Sequence, residues 1–309
     1  MIVVAGEALV DLIVGIDGRL EAVPGGGPFN VARTISRLNI PCRFLARIST
    51  DQFGRRLTSQ LDADGVDLSL VVETDDPTTL AIAELDRHGG ATYRFYVDGT
   101  SAAGLNTADL APDLLSGVSA LHVGTLGLVL EPSAATLTRV VEAAPSNVIV
   151  MTDPNCRPQV ISNRQTYEDR LGRVLARTDI VKVSRDDLAY LAPGVPLETA
   201  ASDLLRRGPC VVLLTDGPDD VRIVTPGETV SIPVAKTTVV DTVGAGDAFG
   251  GAFLAWLIGH GLGRAALDDT QILQNAATSA IVVARLTTSR RGANPPTSDE
   301  VALELARVN

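Results

Sequence analysis

Short β-branched runs that alternate with helical patterns place the strongest limit on what this chain of 309 residues can fold into. The runs at 2–5, 42–48, 120–123, 148–152, 180–183 and 211–215 are candidate core strands, rich in Val, Ile and Leu. Helical patterns lie between them at 30–38, 51–63, 133–143, 167–176 and 200–207, and a long apolar helix is expected over 271–286. That rhythm is the signature of βαβ units and predicts an α/β fold on a mainly parallel sheet. The length suits one large α/β domain or two small ones, and no repeat, low-complexity tract or clear linker divides it. One region breaks the rhythm. Residues 66–98 read as strands without helices, at 68–73, 79–86 and 91–97, and His88-Gly89-Gly90 gives a hairpin signal between the last two. With 12–14 and 20–22 they predict a small side sheet around the first helix, and such a sheet must cover something.

Charge and cysteine usage narrow the class. A formal net charge of −11 and the absence of Lys/Arg clusters beyond short pairs argue against a nucleic-acid or anionic-membrane surface. Cys42, Cys156 and Cys210 are far apart and form no CxxC, so neither a disulfide framework nor a structural zinc site is expected. The apolar start lacks the basic lead of a signal peptide, and the uncharged run at 248–258 is too short to span a bilayer. A reduced, cytoplasmic chain is the expectation.

The stretch Asp241-Thr242-Val243-Gly244-Ala245-Gly246-Asp247-Ala248-Phe249 puts a candidate anion cradle beside a candidate base. Small residues at 244–246 let backbone N–H groups approach an anion closely. The run at 248–258 reads as a buried helix whose N-terminus would aim its dipole at that anion. Asp247 falls in the first turn, where a carboxylate either complements the dipole or takes a proton. A donor phosphate on the amides and an acceptor hydroxyl on Asp247 are the minimal arrangement for phosphoryl transfer.

Taken with Pro24-Gly25-Gly26-Gly27-Pro28-Phe29-Asn30-Val31-Ala32, this motif resembles those of the ribokinase-like (PfkB) carbohydrate kinases. Both motifs stand in the family's order and at about its separation, so the resemblance covers nearly the whole chain. It implies a three-layer α/β/α sandwich, a single domain of residues 1–309 with a β lid inserted at about 12–22 and 66–98. In the family this lid covers the sugar and often pairs two subunits, so a homodimer through the lid is expected. ATP and Mg²⁺ are the implied cofactors, and a small-molecule sugar is the implied partner.

The resemblance also assigns residues. Asp247 would be the catalytic base, and the amides of Gly244, Ala245 and Gly246 would stabilise the transferring phosphate. Gly26, Gly27 and Asn30 would form the sugar end, because glycines leave room and an amide offers both polarities; the bland reading is a glycine loop before a helix. Asp11 lies in Gly6-Glu7-Ala8-Leu9-Val10-Asp11, which resembles the segment whose aspartate grips sugar hydroxyls. Asp153-Pro154-Asn155-Cys156-Arg157-Pro158 resembles the DPNxRP segment of fructokinase-like members, with Asn155 and Arg157 set to bridge sugar and phosphate. Phe95, on the last lid strand, either touches the sugar ring or packs.

Nucleotide contacts are expected from Lys182, Ser184, Thr215, Asp216, Gly217 and, beside the adenine, Asn275. Ser184 and Asp187 stand where many relatives carry Asn-x-x-Glu. Ser-x-x-Asp is also close to a helix capping box, so Asp187 either orders Mg²⁺-bound water or caps a helix. Asp241, Val243, Arg290 and Gly292 would surround a monovalent cation such as K⁺, with Asp241 equally able to cap its own turn. The polar residue that often follows Arg290-Arg291-Gly292-Ala293 is replaced here by Pro295 or Pro296, a departure that weighs against potassium activation.

The implied activity is ATP-dependent phosphorylation of a sugar primary hydroxyl, most like the fructokinase branch. 2-Keto-3-deoxygluconate kinase, ribokinase and nucleoside kinase are the alternatives. A nicotinamide oxidoreductase is opposed by the lack of GxGxxG after the first strand, and a Walker-type NTPase by the lack of GxxxxGK[ST]. A non-catalytic sugar or nucleotide sensor on the same fold is opposed by Asp247 and supported only by the Ser184/Asp187 departure.

Overall fold

The computed structural model describes residues 1–85 and 91–308. Its large sheet is built from β1 (Ile2–Ala5), β4 (Cys42–Ser49), β5 (Val71–Thr74), β8 (Ala120–Gly124), β9 (Ile149–Asp153), β10 (Ile180–Ser184), β11 (Val211–Thr215), β12 (Val221–Val224) and β13 (Thr229–Ile232). The order is β13-β12-β11-β10-β9-β8-β1-β4-β5; β11 through β5 run parallel, and β12 and β13 add an antiparallel hairpin at one edge. Strands at the centre are buried on both faces, which is why they read as mostly apolar runs, interrupted by His122 in β8 and by Thr152 and Asp153 at the end of β9.

Side chains of β1 show how the layers arise. Ile2 and Val4 join the core that holds α1 (Gly27–Arg37), α2 (Gln52–Ala63), α7 (Ala245–Gly259) and α8 (Thr270–Thr288). Val3 and Ala5 point the other way, into a core shared with α3 (Ser133–Glu142) and the Val174 end of α4 (Arg164–Leu175). Further along that face, α5 (Arg185–Leu191) and α6 (Leu197–Leu205) pack with α4 on β10 and β11. The result is the expected α/β/α sandwich, closed by α9 (Ser298–Val308). Among the described residues no helix is long and apolar enough to cross a membrane.

The small sheet has the order β3-β2-β6-β7, from β2 (Leu9–Val14), β3 (Leu20–Gly25), β6 (Leu80–Leu85) and β7 (Ala91–Tyr96). The run at 68–73 does not join it. Its residues from Val71 pair in parallel with β4, completing a β4-α2-β5 unit on the large sheet. Read alone, that run looks like its neighbours; only the crossover helix before it says which sheet it extends. The expected turn at His88-Gly89-Gly90 lies outside the described residues.

Close contact between α1 and α7 prepares the site. A Cβ on Gly251 of α7 would lie 3.1 Å from both Thr34 Cβ and Val31 O of α1. Glycine there lets the helix starts come together, which sets Asn30 beside Asp247.

Candidate active site

A cavity of about 760 Å³ opens at the carboxyl edge of the parallel strands. It lies where the strand order turns outward on both sides of β1, the position at which open α/β sheets collect ligands. One wall is the small sheet, with Asp11, Ala81, Tyr93 and Phe95; the floor carries Gly27, Asn30, Asn155, Lys182 and Asp247.

The phosphate-facing end is a turn held by its neighbours. Gly244 caps α7 in the left-handed region at φ 77, and a Cβ there would lie 2.5 Å from Ala293 Cβ. Asp241 braces this turn from behind: Oδ1 accepts the Val243 N–H at 3.0 Å and Oδ2 the Gly292 N–H at 2.8 Å. The Ala245 N–H donates to Thr242 O at 3.2 Å, so this amide is taken, contrary to the sequence expectation. The Gly246 and Asp247 N–H groups have no partner among the described residues and are the donors of the first turn.

Asp247 stands at the third position of α7, lining the cavity. Its Oδ2 accepts from Asn30 Nδ2 at 2.8 Å, and Asn30 Oδ1 is buried without a hydrogen-bond partner among the described residues. Burial pushes the Asp247 carboxyl above its ordinary range, while the Asn30 hydrogen bond, Lys182 and Arg157 pull it back. Asp11 is pushed up to about 6, by burial first and Asp247 second, against Arg157. Arg157 itself is steered by its own loop, with Nη1 donating to Asn155 O at 3.2 Å and Cys156 O at 3.1 Å.

Sequence reasoning missed three residues at this end. Glu7 follows β1 and is buried; it accepts the Gly27 and Gly127 N–H groups, each at 3.1 Å, and so ties two loops of the cavity together. Burial overrides these donors and lifts its carboxyl to about 8. The rule that picked out Asp11, an acid just beyond a buried strand, also fits Glu7. Thr125 lines the cavity at φ 54, an unusual conformation for a β-branched residue that no sequence signal announces. Asn155 is also left-handed, at φ 38. Tyr93 shares the cavity wall with Phe95 two residues on, as strand alternation requires.

The nucleotide-side expectations divide. Lys182, Ser184, Asp187 and Thr215 line the cavity. Ser184 and Asp187 form a complete capping box at α5, and Asp187 also accepts the Cys156 N–H at 2.6 Å. Asp216, Gly217 and Asn275 do not line the cavity. Asp216 is held in an ion pair by Arg185, and Asn275 is an exposed position of α8 accepting from Gln271 Nε2 at 3.2 Å. Arg290 pairs with Glu300 at 2.7 Å and lies with Gly292 behind the Asp241 brace rather than in the cavity. His122 sits inside β8 with neither ring nitrogen partnered among the described residues; burial, with Lys182 nearby, drives it down to about 3, so it stays neutral.

A turn that offers free amides beside a buried acid, under a small β-sheet, is an arrangement suited to phosphoryl transfer. The profile described as "pfkB family carbohydrate kinase" matches residues 1–300, and the chain belongs to that family. A fructokinase of Rhizobium leguminosarum bv. trifolii is 36% identical over 262 residues, covering 83% of this chain and 79% of that protein. Fructokinase with bound ATP from Xylella fastidiosa superposes with a TM-score of 0.92 at 25% identity, over 100% of this chain and 99% of that one. Fructokinase from Vibrio cholerae O395 in a fructose-, ADP- and calcium-bound form gives 0.86 at 26% identity, over 98% and 97%.

Proposed function

We propose that this protein transfers the γ-phosphoryl group of ATP to a primary hydroxyl of fructose. The observation that carries the reading is the Asn30–Asp247 pair under the partnerless Gly246 and Asp247 N–H groups. The base, its orienting amide and the anion donors meet at one helix start. A sugar hydroxyl held by Asp247 loses its proton to that carboxylate as its oxygen bonds to the γ-phosphorus. The bond from phosphorus to the bridging oxygen breaks, and ADP leaves with the electron pair. The first-turn amides take the charge on the transferring oxygens, and the small sheet keeps water from the donor.

Charge at the sugar end favours a neutral sugar. Asp11 and Asp247 line it with Arg157 as the facing cation, and Glu7, lifted to about 8, adds a neutral carboxyl, which disfavours an acceptor that already bears a phosphate or carboxylate. That supports fructose over 2-keto-3-deoxygluconate or a sugar phosphate, and the relatives' names point the same way.

Mg²⁺ bound by the nucleotide would neutralise phosphate charge. The residues suit a metal carried in by ATP rather than one caged by protein. Among the described residues no three His, Cys, Asp or Glu side chains cluster for a metal, and Asp187 is engaged in its capping box and by Cys156. The monovalent site fits poorly. Both Asp241 oxygens accept amides, and Gly292 O accepts the Asn294 N–H at 2.8 Å, so we propose that turnover does not need potassium. Ile16, Leu20 and Tyr96, exposed on the small sheet and its β2–β3 turn, support pairing of two copies through it.

The test is ADP release with Mg-ATP against fructose, ribose, 2-keto-3-deoxygluconate, tagatose-6-phosphate and nucleosides, with and without potassium. Fructose-dependent ADP is expected with either salt. Release driven by another acceptor would reassign the substrate, and silence across the panel with intact ATP binding would point to the sensor.

A further inference from the structure

Lysine is among the residues least often buried, and only when paired. Yet Lys182 stands in the middle of the large sheet with its side chain 6% exposed. Its Nζ donates to Asp153 Oδ2 at 2.8 Å, from a neighbouring parallel strand. An ammonium has three N–H donors, and Asp153 is its one hydrogen-bond partner among the described residues. Asp153 Oδ1 is likewise buried with no partner among the described residues. A pair that only holds the fold together is expected to satisfy its donors and acceptors, because desolvating two charges otherwise outweighs their attraction. Here donors remain on a cation that lines the cavity.

Its position gives those donors a target. A Cβ on Gly246 would lie 2.9 Å from Nζ and 3.6 Å from Cε. The ammonium therefore presses on the first turn of α7, beside the Gly246 and Asp247 N–H groups that also lack partners. Burial opposes the charge, but Asp153, Asp187 and Asp247 more than offset it, so the group stays protonated. Glycine at 246 leaves room for this approach.

We propose that Lys182 is a catalytic residue, its ammonium contacting the oxygens of the transferring phosphoryl group together with the first-turn amides of α7, and that Asp153 is the positioning residue that fixes it there. This rests on the kinase reading above and narrows the nucleotide contact expected of Lys182 to the transferring phosphoryl group itself. Lys182 exchanges no proton during turnover; it supplies fixed charge where phosphate charge is redistributed.

Lys182→Met alone leaves Asp153 buried and unpaired, so the test uses Lys182→Met/Asp153→Asn, with Asp153→Asn alone as the second variant. Each is compared with wild type by thermal unfolding, by calorimetric fructose binding and by fructose-dependent ADP release. The double variant is expected to fold and bind fructose as wild type does while kcat falls about 10²–10³-fold. Asp153→Asn is expected to lower kcat about tenfold without changing the KM for fructose. Ethylammonium should restore part of the turnover of Lys182→Ala/Asp153→Asn. A folded double variant within about fivefold of wild-type kcat would leave the pair a structural one and overturn the proposal. If wild type itself releases no ADP with any acceptor, the kinase reading fails first. Mg-ATP affinity then decides: about tenfold weaker binding by the folded double variant keeps Lys182 as a phosphate ligand, and unchanged affinity removes it.

Discussion

The turn at the start of α7 and the small sheet of β3, β2, β6 and β7 face each other across one cavity but are held in opposite ways. The turn is fixed from every side: Gly244 against Ala293, Asp241 between Val243 and Gly292, Asn30 on Asp247, and the Lys182–Asp153 pair beneath. The small sheet offers Asp11, Tyr93 and Phe95 to the cavity and leaves Ile16, Leu20 and Tyr96 exposed. A four-stranded sheet with an open face has fewer contacts to hold its geometry. The groups suited to the chemistry thus sit where the backbone is over-determined, and those suited to sugar selection sit where side chains can change without disturbing the core.

The comparison breaks first at Asp247. Asp247→Asn is expected to lower kcat about 10³–10⁴-fold while calorimetry still detects fructose and ATP; near-normal turnover would move the base elsewhere. Next comes Gly244→Ala, which combines about 1 kcal/mol for a side chain at positive φ with about 1–3 kcal/mol for crowding Ala293. Chemical denaturation should report a loss of about 2–4 kcal/mol, and a variant as stable as wild type would mean that the turn is not rigid.

Effects on the side of the small sheet are smaller. Asp11, lifted to about 6 by burial and Asp247, accepts sugar hydroxyls best when ionised. Fructose affinity should therefore be level above that pH and weaken as pH falls through it, when the carboxylate takes up a proton. Asp11→Asn should bind about tenfold more weakly at pH 8 and lack this component of the titration. A wild-type Kd that stays constant down to pH 5 would take Asp11 out of sugar binding. Smallest of all, Phe95→Ala should raise the fructose KM by roughly threefold to tenfold with kcat nearly unchanged. A fall in unfolding temperature with no change in KM would make Phe95 a packing residue.

Much of the large sheet was legible because its buried strands are mostly apolar, and the runs at 2–5 and 211–215 coincide with β1 and β11. The β12–β13 hairpin escaped notice, since Val221–Val224 and Thr229–Ile232 are only four residues long and carry polar residues among the apolar ones. The site was legible where glycine and an acid recur at fixed spacing. It was not legible where the relevant property is a direction: Thr125 at φ 54, the Ala245 amide turned to Thr242, and Asp216 drawn away by Arg185.

The sequence by itself determined the α/β class, the small-residue turn at 244–246, the acid at Asp247 and the chain's kinship, because periodicity and motif spacing are local properties. Tertiary structure decided which sheet received Val71–Thr74, which first-turn amides kept their donors free, and that Lys182, paired with Asp153, shares one cavity floor with Asp247. Those outcomes depend on strand pairing, turn geometry and helix contact, where the free energy of one arrangement over another comes from packing that no local pattern encodes.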